Sequence, residues 1–234
     1  MQTVIDLFLR VPPITRTSLL LSVALSVAVS LELVSPLKLY FNWSLIYQKH
    51  QYWRLLTSIF YRGELSPHTI FDYYICLRYS CQLESQDFRS KPADFIVFFL
   101  FGSLSFLFFG YYLGLQFLST CESAMFLYYW ARKNPNYLVN FFDVFVFRSC
   151  FMPYFIILLT FLLGYDTRMN LIGTFTGHLY YYLEDIVPNL RETQDFRVLK
   201  PPQLLKEFCD FLGIHDWNRM QNREGWFAND AGFI

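Results

Sequence analysis

From Phe95 to Cys121 the chain carries no charged residue. No other feature constrains its fold as strongly. The stretch is longer than the roughly 20 residues that cross a bilayer core, so it reads as the end of one membrane helix and the start of the next, with a break within 114–120. Other apolar runs flank it at 18–34, 150–164 and 171–187, and the long stretch itself divides into 95–112 and 115–131. A weaker sixth run, 69–83, carries Asp72 and Arg78, which are costly facing lipid and should face protein or water. The expected architecture is an all-α membrane protein of six transmembrane helices.

Composition agrees. Hydrophobic residues make up 54% of the 234 and charged residues 16%, against about 25% charged in soluble domains. The 19 Lys+Arg balance the 19 Asp+Glu, which disfavours nucleic acid as a partner. Cys76, Cys81, Cys121, Cys150 and Cys209 are scattered without metal-ligand spacing and read as free thiols or packing residues. No metal and no cofactor is expected. The first run follows Arg10 and Arg16 and reads as an uncleaved signal-anchor. Placing both termini in the cytosol puts most Lys and Arg inside; Lys38, Lys49, Arg54 and Arg62 in the first outer loop are a partial exception. Asn42-Trp43-Ser44 in that loop matches a glycosylation sequon.

The chain divides into a membrane domain, 1–187, and a short cytosolic tail, 188–234. The tail holds six basic and seven acidic residues, so it is no polybasic lipid anchor. Pro201-Pro202 precedes Leu204, Leu205, Phe208, Phe211 and Leu212, with Gly213 after them. This predicts a short amphipathic helix on the membrane surface or the bundle's cytosolic face.

Gly173 and Gly177 sit four apart in an apolar helix, where two missing side chains let a neighbouring backbone approach. His178 follows them; interhelical hydrogen bonding is its expected role ahead of catalysis. Ser119 and Ser123 start the fourth span without a Gly-x-Ser-Gly setting, and Glu122 beside them is expected near the membrane edge. Gln51, Trp53, Arg54 and Thr57, with Tyr52, Phe60 and Tyr61, form an aromatic-rich segment whose plain reading is interfacial anchoring.

These features in this order resemble the derlin family, rhomboid-related proteins of endoplasmic-reticulum-associated degradation. The matching pieces are Pro12-Pro13-Ile14-Thr15-Arg16, then Trp53-Arg54 with Thr57 and Phe60-Tyr61, then Leu83-Glu84 and Pro92-Ala93-Asp94. Tyr129-Trp130-Ala131 and the segment from Leu171-Ile172-Gly173 to Gly177-His178-Leu179-Tyr180 complete the likeness, which covers roughly residues 10 to 190. It implies a six-helix rhomboid-like bundle in the endoplasmic reticulum membrane. Asn170 stands where rhomboid proteases carry the catalytic histidine, so the resemblance implies a pseudoprotease with no catalytic residue.

The resemblance further implies partners: misfolded client polypeptides, a membrane-embedded ubiquitin ligase complex and an AAA-family unfoldase. The ending Gly225-Trp226-Phe227-Ala228-Asn229-Asp230-Ala231-Gly232-Phe233-Ile234 differs from the unfoldase-binding tail of some derlins, so recruitment through an adaptor or the ligase is expected. A homo-oligomer stays open. The lumenal-loop residues Gln51, Trp53, Arg54 and Thr57 are expected at a client or lipid interface. Asp72, Arg78, Asn140 and Asp143 are expected to form a polar intramembrane path, and several short spans to thin the surrounding membrane lipid. Two other classes stay open. An active intramembrane serine protease would need the missing dyad, and a small-molecule transporter would show internal repeats.

Overall fold

The computed structural model describes residues 11–141, 145–190, 199–211 and 214. Helix α1, Pro13–Ser30, begins with proline at its first position, where a missing N–H costs nothing. Two short helices follow in the connecting loop, α2 (Trp43–Lys49) and α3 (Trp53–Phe60). Asn42 caps α2 through its side-chain oxygen, 3.1 Å from Leu45 N, which gives the sequon asparagine a structural use. Helix α4, Pro67–Gln82, is capped by Ser66, whose side-chain oxygen lies 3.2 Å from Thr69 N. It runs into a π-helical turn, Leu83–Asp87.

The uncharged stretch divides as expected. Helix α5, Pro92–Leu113, stops at Gly114 in the left-handed conformation (φ +65°), and α6 covers Ser119–Lys133. Helices α7 (Met152–Leu162) and α8 (Arg168–Tyr181) complete the bundle, and a π turn, Tyr182–Ile186, leads into a short α9, Val187–Leu190. Among the described residues only α1 and α5, 18 and 22 residues long, are both long and apolar enough to cross a membrane on length and composition alone.

Helix α6 is the centre of the molecule, buried at every position from Cys121 to Ala131. Its rings join an aromatic core: the Phe98 ring lies 4.8 Å from Tyr129 and 4.5 Å from Tyr180, and Phe88 stacks 5.7 Å from Tyr129. All five cysteines are free.

The expectation of an all-α protein is corrected at one place. Strands β1 (Leu138–Phe141) and β2 (Phe145–Arg148) pair antiparallel, with Val139 opposite Phe147 and Phe141 opposite Phe145. The segment is rich in β-branched and aromatic residues, which suit a half-buried pleated surface.

The tail helix α10, Gln203–Phe211, lies where the sequence put it; Gly213, its expected stop, lies outside the described residues. Cys209 and Leu205 pack with Ala93 and Ile96 of α5 and with Ile14 of α1. Leu204, Phe208 and Phe211 point outward.

Candidate functional site

Helices α4 and α7 flank a gap that the hairpin bridges. The Phe141 ring meets Phe71 of α4 at 6.1 Å and Phe155 of α7 at 5.0 Å, and Phe147 meets Phe155 at 5.0 Å. Two cavities share Phe71 and Ile75 as a wall. The first, about 40 Å³, brings Asp72, Ser123, Thr160, Asn170 and His68 together. The second, about 160 Å³, lies against the hairpin and is lined by Arg78, Asn140 and mostly apolar side chains.

The expected polar path is therefore two sites. Six residues along a helix turn the side chain by about 120°, so Asp72 and Arg78 face different neighbours. Asp143 lies outside the described residues.

Asp72 belongs to a buried charge cluster centred on Arg62, a residue the sequence reading passed over as one more outer-loop cation. Arg62 donates to Asp72 Oδ2 at 2.7 Å, to Glu122 Oε2 at 2.9 Å and to Ser123 Oγ at 2.7 Å. Its guanidinium also lies over the Tyr73 ring, 5.5 Å from the centroid. Glu122 is 2% exposed, enclosed by protein on the first turn of α6. Two buried carboxylates on neighbouring helices, Asp72 on α4 and Glu122 on α6, need a cation; that requirement is the signal by which Arg62 could have been found.

Ser123 accepts from Arg62, whereas an activated serine also needs a base to take its proton. Asn170 donates to Thr160 Oγ1 at 3.1 Å, tying α8 to α7. Among the described residues no hydrogen bond joins a histidine to Ser119 or Ser123.

The lumenal-loop residues act inward. Arg54, 5% exposed, donates to Gln51 Oε1 at 2.7 Å and to the carbonyls of Leu37 and Tyr40 at 3.0 Å. Thr57 donates to the Leu39 carbonyl at 3.0 Å. Together they clamp 37–40 onto α3. Only Trp53 of this group is exposed, so an interface role fits Trp53 and not its three neighbours.

Two other pieces of the resemblance meet across the bundle. Glu84 accepts from Ile14 N at 2.9 Å, Thr15 N at 2.7 Å and Thr15 Oγ1 at 2.7 Å. It caps α1, which has no side-chain cap of its own. Burial pushes the Glu84 carboxyl up to about 7, against the pull of those donors.

At the α6–α8 crossing, a Cβ on Gly173 would overlap the Cys121 carbonyl oxygen and one on Gly177 would lie 3.1 Å from the Met125 oxygen. The glycine pair is a close backbone contact. His178 Nδ1 lies 2.7 Å from Tyr128 Oη, which accepts from Arg132 Nε at 2.9 Å, an interhelical bond as expected.

The sequence model of the Der1-like family matches residues 11–203. The chain belongs to the Der1-like, or derlin, family. It is 34% identical over 212 residues to a probable derlin-2 homolog of Dictyostelium discoideum, covering 88% of this chain and 82% of that protein. It is also 32% identical to Derlin-2.1 of Zea mays and 31% to Derlin-2.2 of Arabidopsis thaliana, again over 88% of this chain and 86% and 87% of theirs. Derlin membership supports a role in endoplasmic-reticulum-associated degradation and, with the apolar helices, fits a membrane protein.

Proposed function

We propose that this derlin is a non-catalytic component that takes misfolded polypeptides into the α4–α7 gap and helps pass them out of the endoplasmic reticulum for ubiquitin-dependent degradation. In this reading α1, α4, α5, α6, α7 and α8 span the membrane with both termini cytosolic, and a membrane-embedded ubiquitin ligase and an unfoldase act beside it. The observation that carries the reading is the gap itself: polar groups at Asp72, Asn170, Arg78 and Asn140 line cavities on both sides of Phe71 and Ile75 in an otherwise apolar bundle.

An extended chain crossing intact hydrocarbon leaves its backbone groups unsatisfied, at several kcal/mol each; polar walls lower that cost. Helix length adds to the effect. At about 1.5 Å per residue, the 11 residues of α7 rise roughly 17 Å, short of a hydrocarbon core near 27–30 Å. A short helix draws the leaflets together beside it at modest cost. Capture of Ser123 by Arg62 supports the non-catalytic assignment.

The test is photo-crosslinking in microsomes that hold a misfolded client. A benzophenone amino acid replaces Leu159, which lines the first cavity, or Leu104, which is exposed on α5. Client adducts are expected from position 159 and not from 104. Equal adducts from both, or none from 159, overturn the assignment.

A further inference from the structure

The second cavity holds an arginine whose charge no described residue neutralises. Among the described residues Arg78 makes no ion pair. Its Nη1 donates to Tyr74 Oη at 2.6 Å, and its Nε is buried with no hydrogen-bond partner. The walls around it are apolar and aromatic: Phe71, Ile75, Tyr79, Val139, Phe141 and Met152. A lone guanidinium beside apolar surface is costly in hydrocarbon unless an anion reaches it.

The geometry points to a glycerophospholipid seated here, its phosphate on Arg78 and part of one acyl chain in the cavity between α4 and the hairpin. Arg78 lies four residues before the end of α4, so its long stem can hold the charge at headgroup depth. Phe71 lies seven residues further in, roughly 10 Å along the helix axis. The cavity therefore runs from a cation at the membrane edge toward the bilayer interior, as a lipid does. An apolar space of about 150 Å³ takes a benzene-sized molecule, so about 160 Å³ takes a short length of acyl chain and leaves the rest in the bilayer. Guanidinium and phosphate form strong paired, charge-assisted hydrogen bonds, and the unpartnered Nε is available for one of them. The cavity separates α4 from the hairpin, so the lipid wedges one side of the gap.

The full chain is purified into nanodiscs containing a phosphatidylcholine with a diazirine on its acyl chain, and adducts are mapped by mass spectrometry. Adducts are expected at Phe71, Ile75 or Phe141, falling about tenfold or more in Arg78→Ala and partly restored in Arg78→Lys. A diazirine diacylglycerol, which lacks phosphate, should label these positions weakly in the unaltered chain. Equal labelling by the two probes removes the phosphate contact whatever the variants do. Labelling no stronger than at exposed Leu104 removes the cavity. None of these outcomes depends on client binding in the first cavity.

Discussion

Replacing Gly173 with alanine places a methyl group against the backbone of α6. It would overlap the Cys121 carbonyl oxygen and lie 2.7 Å from Ala124 Cβ and 2.9 Å from the Cys121 carbonyl carbon. Ordinary contact begins near 3.4 Å, so backbone must move by more than an ångström. Nothing flexible stands in the way to yield. Overpacking of this kind costs about 1–3 kcal/mol, and the better helix propensity of alanine returns at most about 1 kcal/mol. Gly173→Ala should therefore lose about 1–2 kcal/mol, or roughly 2–8 °C of unfolding temperature for a chain of this size. At Gly177 the closest approaches are 3.1 Å to the Met125 oxygen and 3.2 Å to Tyr128. A few tenths of an ångström relieve them, so Gly177→Ala should stay within about 1 kcal/mol of the unaltered chain. The assay is thermal unfolding of purified protein in mild detergent, followed by intrinsic tryptophan fluorescence. A Gly173→Ala protein that unfolds at or above the unaltered temperature, or a Gly177→Ala protein that suffers more, refutes the close-crossing argument.

Two further outcomes follow from the clamps. The Glu84 carboxyl is held at about 7 when folded against 4.5 in its ordinary state, so the folded chain binds this proton more tightly. At about 1.4 kcal/mol per pH unit, this site contributes on the order of 3 kcal/mol that is fully present below about 4.5 and lost as pH rises through about 7. Thermal unfolding at pH 5 and pH 7.5 should show that slope relative to Glu84→Gln; parallel curves would exclude it. Arg54→Ala strands the Leu37 and Tyr40 carbonyls and should cost about 2–4 kcal/mol with a matching fall in steady-state abundance, whereas Trp53→Ala should leave abundance nearly unchanged. Equal abundance of the two variants on immunoblots would show that the motif acts as one unit.

The helices were legible because each apolar run ends in local chemistry. The break expected within 114–120 falls at Gly114, which closes α5 with positive φ, whereas the prolines that open helices at 13, 67 and 92 are boundaries the apolar runs did not mark. The glycine pair was legible for the same reason, although the sequence could not rank Gly173 above Gly177. That ranking depends on where the α6 carbonyls fall. The hairpin was not read because strands of four residues give too short a period to separate from loop. Arg62 was missed because its partners lie 10 and 60 positions away, and nothing local distinguishes it from Lys49 or Arg54. The Gln51, Arg54 and Thr57 clamp was misread for a related reason. Its acceptors are backbone carbonyls, which have no signature in sequence.

The enclosure of α6 bears on how the chain enters a membrane during synthesis. A segment of 15 residues that carries Glu122 near its start and Arg132 and Lys133 at its end is a poor independent entrant, since it falls short of the roughly 20 apolar residues that span a bilayer core. In the finished protein Glu122 meets Arg62 and lipid never touches it. While the ribosome is still making α6, α8 does not exist to cover it. Of the helices already made, α4 packs against α6 more extensively than α5 does, and it carries Asp72, which shares Arg62 with Glu122. Damage to Arg62 or Gly173 would then strike at insertion, leaving α6 outside the bilayer as well as loosening a formed bundle.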